Sequence, residues 1–119
     1  MLQLLLHLLG DFVLQNNWMA AHKSKLNREG YLACTVHCLV YSLPFLIITD
    51  LTAWLVIFST HWLIDKFSLA KYVCRIKNWH FETDHGFAAS TPPLLAMLLV
   101  MVVDNTMHIA INYFSITYL

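Results

Sequence analysis

Seven side chains hold most of the chemical capacity of this chain. His7 with Asp11, His61 with Asp65, and Asp104 with His108 are pairs four residues apart, each inside an apolar run, and His37 stands alone in a fourth run. On an α-helix four residues turn about 400°, so each pair presents an imidazole and a carboxylate to the same side. Mixed nitrogen and oxygen donors of this kind suit zinc, manganese or iron(II). A carboxylate left over beside such an ion can act as a general base.

The elements that must position these groups are helices in an apolar setting. The 119 residues are 59% hydrophobic and 12% charged, against about 25% charged in an ordinary soluble domain, and mean hydropathy is +0.61. A membrane-crossing helix needs about 20 mostly apolar residues. Four such runs are present, over residues 1–21, 31–49, 51–73 and 92–118. They predict an all-α fold, an integral membrane four-helix bundle forming a single transmembrane domain over 1–119. The formal net charge is zero, which provides no basic face for nucleic acid, so none is expected as a partner; membrane lipids are. Met1 leads straight into apolar residues without a basic segment, so the first run is expected to stay as a membrane helix rather than be cleaved. Cys34, Cys38 and Cys74 are expected to be free thiols.

Basic residues fall unevenly between the runs. Lys23, Lys25 and Arg28 lie in the first connection and Lys66, Lys71, Arg75 and Lys77 follow Asp65, whereas both termini and the turn at Asp50 have none. By the positive-inside rule the first and third connections face the cytoplasm and both termini lie outside it, as expected for a protein of the bacterial inner membrane. The short turn at Asp50 requires an antiparallel hairpin, with Pro44 kinking the second helix near its end. Pro92 and Pro93 suit the first turn of the fourth helix, with Ser90 or Thr91 as its N-cap.

Each helix carries a polar stripe. Gln3, His7, Asp11, Gln15, Trp18 and His22 fall within about 100° of arc on the first, His37 with Tyr41 on the second, His61, Asp65, Ser68 and Tyr72 on the third, and Asp104 and His108 with Asn105 and Asn112 on the fourth. An aspartate at mid-bilayer costs roughly 2.5–3.5 kcal/mol, so the stripes must face one another. At about 1.5 Å per residue from the cytoplasmic end, Asp11, His37, Asp65 and Asp104 lie roughly 10–18 Å deep, which predicts that all seven groups meet in one small volume. Helix bundles build metal sites in this manner. The competing readings are a network of buried hydrogen bonds that only fixes packing and a relay for protons or ions.

Other features carry less. Cys34, His37 and Cys38 share a face that could take a soft metal, although buried cysteines are ordinary helix packing. His80, Glu82, Asp84 and His85 cluster in a connection where solvation alone explains them. Trp54, Trp62, Trp79 and Tyr118 read as lipid-facing or interfacial anchors, as do Phe81 and Phe87.

The motifs resemble a family of small integral membrane proteins of phages and bacteria, grouped as a domain of unknown function. The pattern H-x-x-G-D-F-x-x-Q stands as His7, Gly10, Asp11, Phe12 and Gln15, followed by Trp18 and Lys23 and the lone His37. H-x-x-I-D stands as His61, Ile64 and Asp65 with Lys66 after it, and D-[QN]-x-x-H as Asp104, Asn105 and His108. Residues 70–78 look like the phage branch. The resemblance implies a four-helix membrane protein whose signature coincides with the groups chosen by helix geometry, and it implies no activity.

The reading that follows is a metal-dependent membrane hydrolase acting on a lipid or other amphipathic ester, amide or phosphoester, with bound water as nucleophile. Its expected ligands are His7, Asp11, His61, Asp65 and His108. Asp104 serves as ligand or base, His37 as ligand or transition-state donor, and Asp65 doubles as a catalytic group. Gln15, Lys23 and Lys66 lie toward the cytoplasmic mouth to meet an anionic headgroup. The alternatives are a proton or divalent-metal transporter or channel, which with four helices would call for a homo-oligomer, and a non-catalytic phage accessory membrane protein.

Overall fold

The computed structural model describes residues 1–119 and is entirely helical. Helix α1 spans Leu2–Leu8, α2 Asn17–His22, α3 Arg28–Ser42, α4 Leu51–Phe67, α5 Leu69–Lys77 and α6 Pro93–Tyr118, with a π-helical turn at Leu9–Val13 and a 3₁₀ turn at Leu43–Ile47. Two stretches, Arg28–Ile47 and Pro93–Tyr118, are long and apolar enough to cross a membrane. α4 has 17 residues, about 26 Å of helix against a hydrocarbon core of about 30 Å.

The first run, expected as one helix over 1–21, is three pieces. After the π-turn the chain leaves helical geometry, and Asn16 restarts it by accepting a hydrogen bond from the Met19 N–H at 2.9 Å, the usual work of an N-cap. Asn27 does the same for α3 through the Gly30 N–H at 2.7 Å, and Asp50 for α4 through the Ala53 N–H at 2.9 Å. The third run, expected as one helix over 51–73, divides at Ser68, whose φ of 50° and ψ of 49° are left-handed. That reversal separates α4 from α5. α6 begins without the expected Ser90 or Thr91 cap: Pro92 precedes its first turn, and no side chain caps it. Pro44 stands at the start of the 3₁₀ turn that extends α3, near where a kink was expected.

α3 packs on α4, α4 on α6, α1 on α6, and α5 folds back against α6. The polarity of the molecule is inverted relative to a water-soluble domain. His7, His37, His61, Asp65, Lys66, His108 and Asn112 are buried, whereas Leu94, Met97, Val102, Phe114 and many other apolar side chains are exposed. At the end of the bundle remote from the basic connections, Leu6, Tyr41, Phe45 and Ile57 form a closed apolar cluster covered by Ile48, Trp54 and Ile116. Trp54 and Trp62, read as lipid-facing or interfacial anchors, are half-buried and tie α4 to α3: their indole N–H groups donate to the Ser42 carbonyl at 3.0 Å and to Thr35 Oγ1 at 3.2 Å.

Candidate metal centre

The π-turn decides where Asp11 points. Gly10 lies so close to α3 that a Cβ there would stand 2.4 Å from Tyr41 Cδ2, an impossible contact. The absence of a side chain lets the first segment touch α3, and the wide turn swings Asp11 inward. Single π-turns inside helices recur at functional sites because they re-aim one side chain.

Four atoms then converge from three elements: Asp11 Oδ1 from the π-turn, His37 Nε2 from α3, and His61 Nε2 and Asp65 Oδ2 from α4. His37 Nε2 stands 3.1 Å from His61 Nε2, 3.3 Å from Asp11 Oδ1 and 3.1 Å from Asp65 Oδ2. His61 Nε2 is 3.4 Å from each of the two carboxylate oxygens. A tetrahedral ion with bonds of about 2.0–2.1 Å requires its ligands to stand about 3.3 Å apart, and these five separations all lie close to that value.

Hydrogen bonding alone satisfies this arrangement poorly. Neutral imidazoles have one N–H each, so two hydrogens would have to serve five close approaches. Asp11 Oδ1 is buried and makes no hydrogen bond of ordinary geometry, its nearest donors being His37 Nε2 at 3.3 Å and His61 Nε2 at 3.4 Å, and a buried carboxylate so poorly paired is disfavoured. A cation among the four atoms removes the conflict. His37 Nδ1 and His61 Nδ1 lack protein partners.

Asp65 is shared with a second group. Its Oδ1 lies 3.1 Å from His108 Nε2, which is 3.5 Å from Asp104 Oδ2; both groups have donor spacings compatible with holding an ion. Lys23 reaches Asp65 Oδ2 at 2.7 Å. Lys23, Asp65 and Asp104 line a cleft of about 300 Å³ between the α4–α5 corner and α6, with Lys71 at its rim and Met97, Val100 and Met101 along its apolar wall.

His7, expected as a ligand, is placed outside both groups. Its Nε2 donates to Asn105 Oδ1 at 2.7 Å and its Nδ1 accepts from the Tyr41 hydroxyl at 2.8 Å, while Tyr41 accepts from Asn112 Nδ2 at 2.7 Å. Both ring nitrogens are occupied, and Asp11 Oδ2 comes only to 3.7 Å. His7 therefore belongs to a supporting chain. His37, expected as ligand or donor, sits among the four converging atoms. The expected volume is thus resolved into two adjoining groups with His7 beside them.

The residues expected to meet a headgroup are placed differently from one another. Lys23 faces the cleft but is paired with Asp65. Lys66 is buried, with its ammonium on the Lys23 and Lys25 carbonyls and over the Tyr31 ring, so it fixes the first connection instead of reaching the cleft. Gln15 carries a buried side-chain oxygen without a partner. The Cys34 and Cys38 sulfurs lie 4.0 Å apart, and the Cys34 thiol also donates to the Trp62 carbonyl.

The supporting roles of Tyr41, Asn105 and Asn112 escape a sequence reading, although all three lie on the polar stripes. Tyr41 also stacks on His61 with ring centres 3.7 Å apart. Outside the helical core, Lys71 donates to Asp84 and this contact holds the Asp84 carboxyl below its ordinary value, pinning the long connection onto α5.

The chain belongs to the family described as protein of unknown function DUF3307, whose model matches residues 1–118. Comparison with curated proteins and with solved structures gives no match in either.

Proposed function

We propose that this chain is an integral membrane four-helix bundle whose centre holds a divalent cation and hydrolyses a lipid or another amphipathic ester, amide or phosphoester. The observation that carries the reading is the convergence of Asp11, His37, His61 and Asp65 at ligand spacing around a poorly paired carboxylate oxygen. Zinc, manganese and iron(II) all fit the donor set.

The membrane setting is supported by the apolar exterior around a polar core and by the two spans long enough to cross. α4 and the broken first segment complete the bundle, the latter entering only as far as its π-turn and α2 allow. With the basic connections cytoplasmic, the cleft opens toward the inner face of a bacterial inner membrane.

When bound, the cation polarises a carbonyl or phosphoryl oxygen and acidifies water. The chain's own groups do the rest. Asp104 lines the cleft with Oδ2 toward His108, and its Oδ1 would accept the proton of the attacking water. Lys23 meets the negative charge of a headgroup, and Met97, Val100 and Met101 flank its apolar tail. A conduction path needs continuous polar lining, and the apolar cluster of Leu6, Tyr41, Phe45 and Ile57 packs beside the site, with Tyr41 stacked on His61, which weighs against conduction through a single chain.

The test is turnover by the purified protein in lipid bilayers, presented with ester, amide and phosphoester lipids before and after chelation. Hydrolysis of one class that chelation abolishes and metal restores is expected. Inactivity of the metal-loaded protein toward all three classes would refute the hydrolase.

A further inference from the structure

The geometry points to a second cation site formed by Asp65, Asp104 and His108, so that the Asp65 carboxylate bridges two ions. This rests on the reading of the first site as a metal centre and adds a second ion to it.

The two oxygens of Asp65 look in different directions. Oδ2 faces His37 and His61 at 3.1 and 3.4 Å, whereas Oδ1 faces His108 Nε2 at 3.1 Å. His108 Nε2 in turn stands 3.5 Å from Asp104 Oδ2. These two separations bracket the spacing of about 3.3 Å that ligands of a single first-row ion adopt. A carboxylate whose oxygens serve separate ions keeps them about 3.5–4 Å apart in two-metal hydrolytic sites. The two groups therefore share one residue and have the donor count of a paired centre.

The surroundings give the two positions different characters. His37 and His61 are buried and do not line the cleft, whereas Asp65, which both groups share, does. Asp65 and Asp104 line the cleft, so the second position has three protein donors and one side open, the pattern of a reactive rather than a structural site. Three carboxylates, those of Asp11, Asp65 and Asp104, face one ammonium, that of Lys23; one divalent ion balances that excess. A second brings positive charge to the cleft, where an anionic oxygen of a substrate would complete its coordination. Asp104 binds through Oδ2, which leaves Oδ1 for the proton.

The experiment uses the full chain in lipid nanodiscs, stripped by chelation and titrated with manganese(II) alone. Bound ion is counted by elemental analysis after desalting, and its electron paramagnetic resonance spectrum is recorded. Two ions per chain with an exchange-coupled spectrum are expected for the wild type, and one ion with an uncoupled spectrum for Asp104→Asn. One ion per chain in both proteins overturns the second site and leaves the first standing. No manganese in the wild type overturns the paired centre, and refusal of zinc and iron(II) as well overturns the first site with it. The wild-type count and coupling decide the matter even where the variant fails to fold.

Discussion

His37 and His61 face each other through their Nε2 atoms at 3.1 Å, with Asp11 and Asp65 closing on the same point from either side. One neutral imidazole can donate to the other across this contact, but doing so uses the N–H that would otherwise meet Asp11 or Asp65. The contact joins α3 to α4 at the depth where the π-turn delivers Asp11.

Asp65 should be the most sensitive of the carboxylates. Asp65→Asn removes a donor from both groups and leaves the Lys23 ammonium unpaired, and loss of one partner of a buried pair costs about 3–5 kcal/mol; Lys23 is partly exposed, so the low end applies. Asp11→Asn should lower metal content with a smaller loss of stability. Adding Lys23→Met to Asp65→Asn should recover part of the stability and none of the metal. Thermal unfolding with metal analysis on the wild type, Asp65→Asn, Lys23→Met and their double variant checks this as a double-mutant cycle, with Asp11→Asn measured beside them.

Gly10→Ala should damage the centre without altering any ligand. The new Cβ would meet Tyr41 Cδ2, forcing the first segment off α3 at a cost of about 1–3 kcal/mol and withdrawing Asp11. Metal affinity measured by competition with a chromophoric chelator should fall at least tenfold. An unchanged affinity would mean that the close approach at Gly10 does not place Asp11.

Tyr41→Phe separates support from ligation. It leaves His7 Nδ1 and Asn112 Nδ2 buried without their partner, which costs about 1–3 kcal/mol. Chemical denaturation should register that loss, while the metal count per chain stays at the wild-type value. A drop in metal content would place His7 among the ligands after all.

The Lys71–Asp84 contact predicts a pH effect confined to the third connection. The folded Asp84 carboxyl titrates below its ordinary value, so its stabilisation is present above that ordinary value and lost as pH falls through the lowered folded one. Asp84 is largely exposed and Lys71 partly so, and the effect is therefore small and screened by salt. Nuclear magnetic resonance of the Gly86 amide across this range should show the step in wild type and not in Lys71→Ala.

The polar centre was legible because so few groups in an apolar chain can share it. Spacing of four residues put His61 and Asp65 on one face, but it also set them a full turn apart along the helix axis. That pair still meets at 3.4 Å, as Asp104 and His108 do at 3.5 Å; what spacing alone did not give is the crossing between helices, by which Asp11 comes closer to His37 and His61 than to His7, and Asp65 meets His108. The π-turn at Gly10 was hidden because its cause is a contact with Tyr41 on another helix. The break at Ser68 has no local marker such as glycine. Lys66 was expected at the cytoplasmic mouth to meet a headgroup, yet it is buried with its ammonium over the Tyr31 ring and on carbonyls of the first connection.

Metal content tests the central claim most directly. Wild-type protein purified without chelator, verified as folded and then incubated in turn with zinc, manganese and iron(II), should retain at least one equivalent of one of them after desalting, and Asp11→Asn should retain much less. A folded wild-type protein that stays metal-free with all three ions would contradict the account, leaving Asp11, His37, His61 and Asp65 as a packing network alone.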